Sequence, residues 1–383
     1  MLEEGSGSGL SSGASSPEPM EPFTPVYSVR FTDRVTKDGE SVKFTIQVSQ
    51  NSLTVQMIER EFEDFEYLEH CIVTGQNSNG LIIPPLPQRS AIDPHTAEIQ
   101  SRKQMGKGSK TLIADDFHKD CRQLQKYLEL VLSHPVLGKN QRLHEFLTIK
   151  EAPPRTKVKK GLMTRIADSF DMRKSSYPDT EEFFQKERDW VAKYGPASVE
   201  ASEAFNKIVY AQMRISHCME EMVTALKLSS SPDNTLHHKQ FNIINYLFLD
   251  SLEALKNQID DKANKDDSGL GSEIHLCQRF IYSENTMLLH RTSLMVDYQA
   301  SNRALDKAKP NRKEAAEATK HEAEKAFEEC SDVARIEIKR FHRERVFAIQ
   351  SAIEEFGRQQ LISARATLQT LSNTLSQIKA INL

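Results

Sequence analysis

The sequence predicts an α+β unit, a three-stranded antiparallel sheet plus helices, followed by an all-α unit of three long antiparallel helices. Three observations carry this. Residues 27–57 alternate apolar and polar side chains in three short runs, the period of half-buried strands. From Asp179 onward the apolar residues step by threes and fours, the period of helices. The last 73 residues, Asn311 to Leu383, hold no proline and a single glycine, Gly357. At about 1.5 Å per residue that segment makes one helix of about 100 Å. A helix of that length cannot bury its apolar stripe inside a compact core, so it must lie along partners of similar length. Such a chain offers shape and assembly rather than catalysis.

The elements follow in order. Residues 1–22 are mostly Gly, Ser, Pro and Glu and cannot bury enough surface to fold, so a disordered tail is expected. Tyr27-Val29-Phe31, Val42-Phe44-Ile46-Val48 and Leu53-Val55-Met57 predict strands, with Asp38-Gly39 as a turn. Phe62, Phe65, Leu68 and Cys71 then step at helical spacing. Ile82 to Pro87 predicts polyproline II, because successive prolines fix φ and remove donors. Residues 90–111 are polar and basic with Gly106 and Gly108, and read as a loop or short hairpin. Phe117 to Leu132 and Leu137 to Leu147 predict helices, and Ala152-Pro153-Pro154 ends the unit, which spans 23–150.

A basic link, 155–176, carries Leu162, Ile166 and Phe170 on one face with Met163 alongside, and Lys159, Lys160 and Arg165 elsewhere. It suits an amphipathic helix lying in an anionic interface, or one packed on its own bundle. The all-α unit spans 179–383. Its first helix is expected from Glu181 to about Leu228, with Thr180 as N-cap and a kink at Gly195-Pro196. The second is expected from about Leu236 to Ala308, interrupted at Asp260 to Ser272 and stopped by Pro310. The three helices make an elongated bundle whose unmatched apolar face should dimerise.

Bulk properties narrow the function. A net charge of −4 exerts no global pull on nucleic acid. Cys71, Cys121, Cys218, Cys277 and Cys330 are scattered and form no CxxC pair. They predict neither a disulfide framework nor a zinc site, and point to a reducing compartment. The N-terminus lacks the basic start and apolar run of a signal peptide. No stretch approaches 18 uncharged apolar residues, so membrane contact is expected to be peripheral. There is no HExxH and no P-loop lysine, and the one GxSxG match, Gly9 to Gly13, lies in the Gly/Ser-rich tail rather than between a strand and a helix, so neither enzyme activity nor a cofactor is expected.

The strands, then Arg60-Glu61-Phe62-Glu63-Asp64-Phe65, then Pro84-Pro85-Leu86-Pro87 and a helix, resemble a PX (phox homology) domain. The family pattern is Arg-Arg-Tyr-Ser-Asp-Phe with a later Pro-Pro-x-Pro loop. A PX domain before three long helices resembles a sorting nexin of the PX–BAR type. Ser133-His134-Pro135-Val136-Leu137, Phe183-Phe184, Asp297-Tyr298 and Ala304-Leu305-Asp306-Lys307-Ala308 are similar to the five/six-like subgroup. The resemblance spans about 25–383. It implies curvature sensing and tubular cargo export on early endosomes, as a cytoplasmic peripheral membrane protein. It also implies a heterodimer with a sorting nexin of the one/two type, and association with cargo-receptor tails, retromer and dynactin. Two other readings stay open: a PX effector targeted by its phosphoinositide, and a soluble coiled-coil scaffold.

The resemblance also nominates residues. The family's second motif arginine binds the 3-phosphate through charge-assisted hydrogen bonds. Here it is Glu61, a carboxylate that repels phosphate. Phe62 keeps the aromatic beneath the inositol ring, and Arg89 keeps the basic residue after the proline loop. The helix arginine falls at Asp120 or Cys121, and Arg122 is out of register. The pocket therefore reads as degenerate for phosphatidylinositol 3-phosphate, unless Arg60 or Arg122 shifts in to substitute. Phe117 is the candidate aromatic of the subgroup's cargo groove, or a core residue of its helix. Lys339, Arg340, Arg343 and Arg345, with Arg335 before them, suggest a basic concave surface for anionic lipid. The alternative is a salt-bridged face, because Glu337 and Glu344 are interleaved. Lys307, Lys309, Arg312 and Lys313 mark the turn before the last helix.

Overall fold

Alternating apolar side chains of residues 27–61 build three antiparallel strands, β1 (Tyr27–Asp38), β2 (Ser41–Gln50) and β3 (Leu53–Glu61), in the order β1-β2-β3. Our computed structural model describes residues 23–39, 41–50, 53–75, 78–90, 94–105, 117–154, 177–228 and 236–381. The expected tail (1–22) and linker helix (155–176) lie outside them. Phe31 pairs with Ile46, and Ile46 with Ile58, so one apolar row crosses the sheet. β1 outruns its apolar alternation through a register shift between Phe31 and Val35. The Asp38–Ser41 pair closes the hairpin around Gly39, whose φ of 60° is readily adopted only by glycine. Phe44, Ile46, Val48 and Ile58 pack on Phe65, Leu124, Leu128, Phe146 and Leu147.

Those partners come from α1 (Phe62–Val73), α3 (Phe117–Ser133) and α4 (Gln141–Thr148). The Glu61 N–H that opens α1 donates to Asp64 (2.7 Å). The stretch expected as one helix from Leu137 to Leu147 is split. A 3-10 turn covers Leu137–Lys139, and Asn140 then caps α4 by accepting the Arg142 and Leu143 N–H groups. Between α1 and α3, the stretch expected as a loop or hairpin at 90–111 instead contains α2 (Pro94–Met105). Proline is favoured in a helix's first turn, and Ala, Glu, Gln, Arg, Lys and Met are strong helix formers. Apolar periodicity missed α2 because it carries no apolar stripe, and its Ile99 is exposed.

The bundle comprises α5 (Glu182–Leu228), α6 (Leu236–Asp266), α7 (Ser272–Asp306) and α8 (Lys313–Lys379). α6 and α7 form one continuous rod, joined by a π-helical turn, Asp267–Gly271, where an interruption was expected. α5 runs through Gly195-Pro196 without a break in its helix. Asp179, not Thr180, accepts the Glu181 N–H (3.0 Å), and the Thr180 hydroxyl faces Met295 sulfur. Phe184, Leu276, Phe280, Met287, Leu288, Ala334, Ile338 and Phe341 fill the core, and Ile82 of the proline loop enters it. Arg291 is fully buried there. It donates to Asp179 (2.5 Å), Glu181 (2.6 Å) and Ser331 (2.9 Å), with its guanidinium 3.5 Å from the Phe184 ring centroid.

Candidate functional site

The candidate lipid pocket starts where β3 passes into α1. Phe62 is buried, and the Arg89 guanidinium lies 5.9 Å from its ring centroid. Arg89 is ion-paired with Glu63 at 2.5 Å. The next residue, Ser90, donates to Asp120 of α3 (2.6 Å). Glu61 accepts the Ser41 hydroxyl (2.7 Å). Arg89 is thus brought to Phe62 and Glu63, and the adjacent Ser90 to Asp120. A phosphate entering here meets a guanidinium already engaged by Glu63.

Of the two substitute arginines, Arg60 is committed elsewhere. Arg60 is buried, its guanidinium 5.1 Å from the Phe146 ring centroid. It donates to the carbonyls of Phe146, Ile149 and Lys150 at the end of α4, and to that of Glu59. Burial lowers its pKa, against the attraction of Asp64. Arg60 is therefore a clamp on the chain after α4. Arg122 lines a cavity of about 490 Å³ with Lys126, Ser268 and Glu273. Cys121 is buried in the core and borders the same cavity. Phe117 packs against the α+β core, with Lys37 Nζ 5.8 Å from its ring centroid.

The cations expected on a basic surface of α8 divide between ion pairs and solvent. Arg340 is 10% exposed and pairs with Glu337 and Glu344 (2.8 Å each). Arg345 is 13% exposed, pairs with Glu273 (2.7 Å) and lies over Phe280. Arg335 pairs with Glu181 and Asp332. Lys339 and Arg343 remain exposed, with no ion pair among the described residues. Glu337 and Glu344 of α8 itself engage Arg340, Glu273 of α7 engages Arg345, and Glu181, just before α5, engages Arg335. Lys307, Lys309, Arg312 and Lys313 are all exposed at the α7–α8 turn.

Sequence reasoning missed the joint between the α+β unit and the bundle. Glu337 of α8 is buried and accepts the Ile82 N–H (3.2 Å) and His134 Nε2 (3.3 Å). His134 Nδ1 accepts the Val136 and Leu137 N–H groups, which places the ring proton on Nε2. Burial pushes the Glu337 carboxyl up, but His134 and Arg340 outweigh it and hold the pKa below the usual range. Glu69 of α1 accepts the Leu86 N–H (3.2 Å), and burial raises it to about 7. Arg279 of α7 lies 3.5 Å from the Pro85 carbonyl. Gly80 has φ of 80°, and a Cβ there would stand 2.6 Å from the Cys330 carbonyl of α8. In the sequence Glu337 looks like an ordinary i,i+3 partner of Arg340, and nothing local distinguishes it.

Beyond the joint, α6 and α8 leave an apolar stripe uncovered. Tyr246 and Phe347 are 69% and 65% exposed, and Phe241, Val346, Ile353, Leu368 and Leu375 continue the pattern. Such a run of exposed apolar side chains marks an interaction surface. Among the described residues no helix is long and apolar enough to cross a membrane.

Comparisons with known proteins agree with this architecture. Residues 48–150 match the PX domain family. The chain is 24% identical to sorting nexin-6 of Pongo abelii over 369 residues, covering 88% of each protein. It is 24% identical to sorting nexin-32 of Homo sapiens over 381 residues, covering 92% of this chain and 93% of that protein. Its fold is similar to the solved SNX-BAR Mvp1 tetramer, with a TM-score of 0.55 at 15% identity, covering 91% of this chain and 99% of that one.

Proposed function

This chain is a sorting nexin of the PX–BAR type, similar to the five/six-like subgroup, and we propose from that premise that it is a dimeric, peripheral membrane adaptor of endosomes. Residues 23–150 act as the PX domain and 179–383 as the BAR domain. The BAR domain dimerises with a sorting nexin of the one/two type, and the curved dimer bends early endosomal membrane into tubules that carry cargo receptors. Association with cargo tails, retromer and dynactin belongs to the same reading, and no step in it needs catalysis. The single observation that carries it is the uncovered apolar stripe of α6 and α8. A stripe of that length needs a partner of similar length.

In this reading the PX pocket is degenerate for phosphatidylinositol 3-phosphate. Glu61, and either Asp120 or Cys121, stand where the family pattern has arginines, and Arg60 is committed to carbonyls. Membrane affinity then falls to the basic linker 155–176 and to the exposed lysines and arginine of the α7–α8 turn. Sedimentation equilibrium and liposome co-sedimentation of the full chain, alone and with a one/two-type sorting nexin, test this. Dimer and membrane binding only in the mixture support it. A homodimer that tubulates anionic liposomes alone rules out partner dependence. Tight binding of the lone chain to phosphatidylinositol 3-phosphate rules out the degenerate pocket.

A further inference from the structure

Inside the bundle, three side chains from three helices converge: Glu187 of α5, Glu284 of α7 and His342 of α8. Their donor atoms all lie within 4.8 Å of one another. His342 Nε2 stands 2.6 Å from a Glu187 oxygen and 3.8 Å from Glu284 Oε1. Glu284 is completely buried, and neither of its carboxylate oxygens has a hydrogen-bond donor. A buried carboxylate is normally paired or bound to a metal.

We propose that Glu187, Glu284 and His342 bind one divalent transition-metal ion of the zinc class, which ties α5, α7 and α8 together. The donor set fits. One imidazole and two carboxylates are ligands zinc accepts, with bonds of about 2.0–2.2 Å. A tetrahedral ion with such bonds holds its ligand atoms about 3.3–3.5 Å apart. The separations of 2.6 and 3.8 Å bracket that value, so small side-chain shifts complete the site. Three protein ligands leave the fourth position to water. Calcium and magnesium, which prefer six or more oxygens, do not fit. The His342 side chain is 37% exposed and gives an entry path, whereas Glu284 closes the inner side. The Trp190 ring meets His342 edge-on at 5.2 Å and holds the imidazole in place. Sequence motifs could not reveal the set, because each ligand sits alone on its own helix.

The test is zinc titration of the metal-stripped full chain against a competing chelator, with cobalt as a spectroscopic substitute. The expected result is one zinc per chain, a rise in Tm with zinc, and visible cobalt bands of a four-coordinate nitrogen–oxygen site. Glu284→Gln keeps the volume of the side chain and removes its charge. It should weaken zinc binding at least 100-fold while leaving the metal-free Tm and circular dichroism unchanged. His342→Ala, on a partly exposed residue, should do the same. Zinc affinity within threefold of native in both variants would overturn the proposal, because surface histidines would then hold the metal. No stoichiometric binding to the native chain would also overturn it, and the two carboxyl groups would then simply share a proton.

Discussion

Replacing Glu337 with alanine should open the joint between the PX domain and the bundle. The side chain is 4% exposed and serves three partners: Ile82 N–H, His134 and Arg340. Removing one member of a buried ion pair costs about 3–5 kcal/mol. An orphaned buried N–H costs about 1–3 kcal/mol, and here the two overlap because both act through one carboxylate. Arg340 keeps Glu344 at 2.8 Å, so its charge is not stranded and the low end applies. About 3 kcal/mol is therefore expected. That corresponds to about a 100-fold loss of protection, at 1.4 kcal/mol per tenfold change. The loss is local, because the PX core and the distal bundle keep their own contacts. Hydrogen exchange resolved by peptide should show it at residues 78–90, with the distal end of α8 as internal control. Glu344→Ala removes only the exposed partner and should change exchange little. The pH dependence has a definite sign. The folded pKa of Glu337 lies below its unfolded value, so its contribution is intact above about pH 4.3 and is lost as pH falls through the folded value. Unchanged exchange at 78–90 in a folded Glu337→Ala chain would refute the role assigned to this residue.

Other perturbations follow from the same contacts. Gly80→Ala meets both a left-handed backbone penalty of about 1–2 kcal/mol and the rigid carbonyl of Cys330. It should open the same peptides as Glu337→Ala, and the double variant should be less than additive in a thermal or urea melt. Glu69→Gln keeps an acceptor for the Leu86 N–H but removes a carboxylate whose pKa is raised to about 7. A raised carboxyl pKa means stability declines as pH climbs from about 4.3 to 7, so the variant should match native at pH 4 and exceed it by about 2–3 kcal/mol at pH 8 in urea denaturation. Arg291→Met strands the buried Asp179 and should cost about 3–5 kcal/mol, partly recovered by adding Asp179→Asn, as read by thermal melting.

Much of the architecture was legible because it is periodic. The alternation at Val42-Phe44-Ile46-Val48 gave a strand and its buried face, and the proline-free run from Asn311 gave α8. What stayed hidden depends on partners distant in sequence. α2 has no apolar stripe to betray it, and its helical propensity was outweighed by polar composition. The split near Leu137 turns on one side chain, Asn140, that caps a helix instead of continuing it. In the candidate pocket, residue types told which charges were missing, at Glu61 and at Asp120 or Cys121. They did not tell that Arg60 would turn away to the carbonyls of Phe146, Ile149 and Lys150.

The charges of α8 carry this furthest. Lys339, Arg340, Arg343 and Arg345 are indistinguishable by type, and helical spacing alone spreads them around the rod. Their fates diverge because acidic groups approach from particular sides: Glu273 from α7 meets Arg345, and the His134–Glu337 contact at the joint holds Glu337 beside Arg340. An arginine paired at 2.7–2.8 Å and 10–13% exposed has little field left to offer a membrane. Lys307, Lys309, Arg312 and Lys313 have no such neighbours among the described residues, and all four stay exposed. The cationic surface available to anionic lipid is therefore weighted towards the α7–α8 turn rather than the middle of α8. If so, replacing these four with glutamate should reduce anionic liposome binding in co-sedimentation more than replacing Arg340 and Arg345, whose loss should instead lower Tm. The opposite ranking would mean that the mid-helix ion pairs open at the membrane surface.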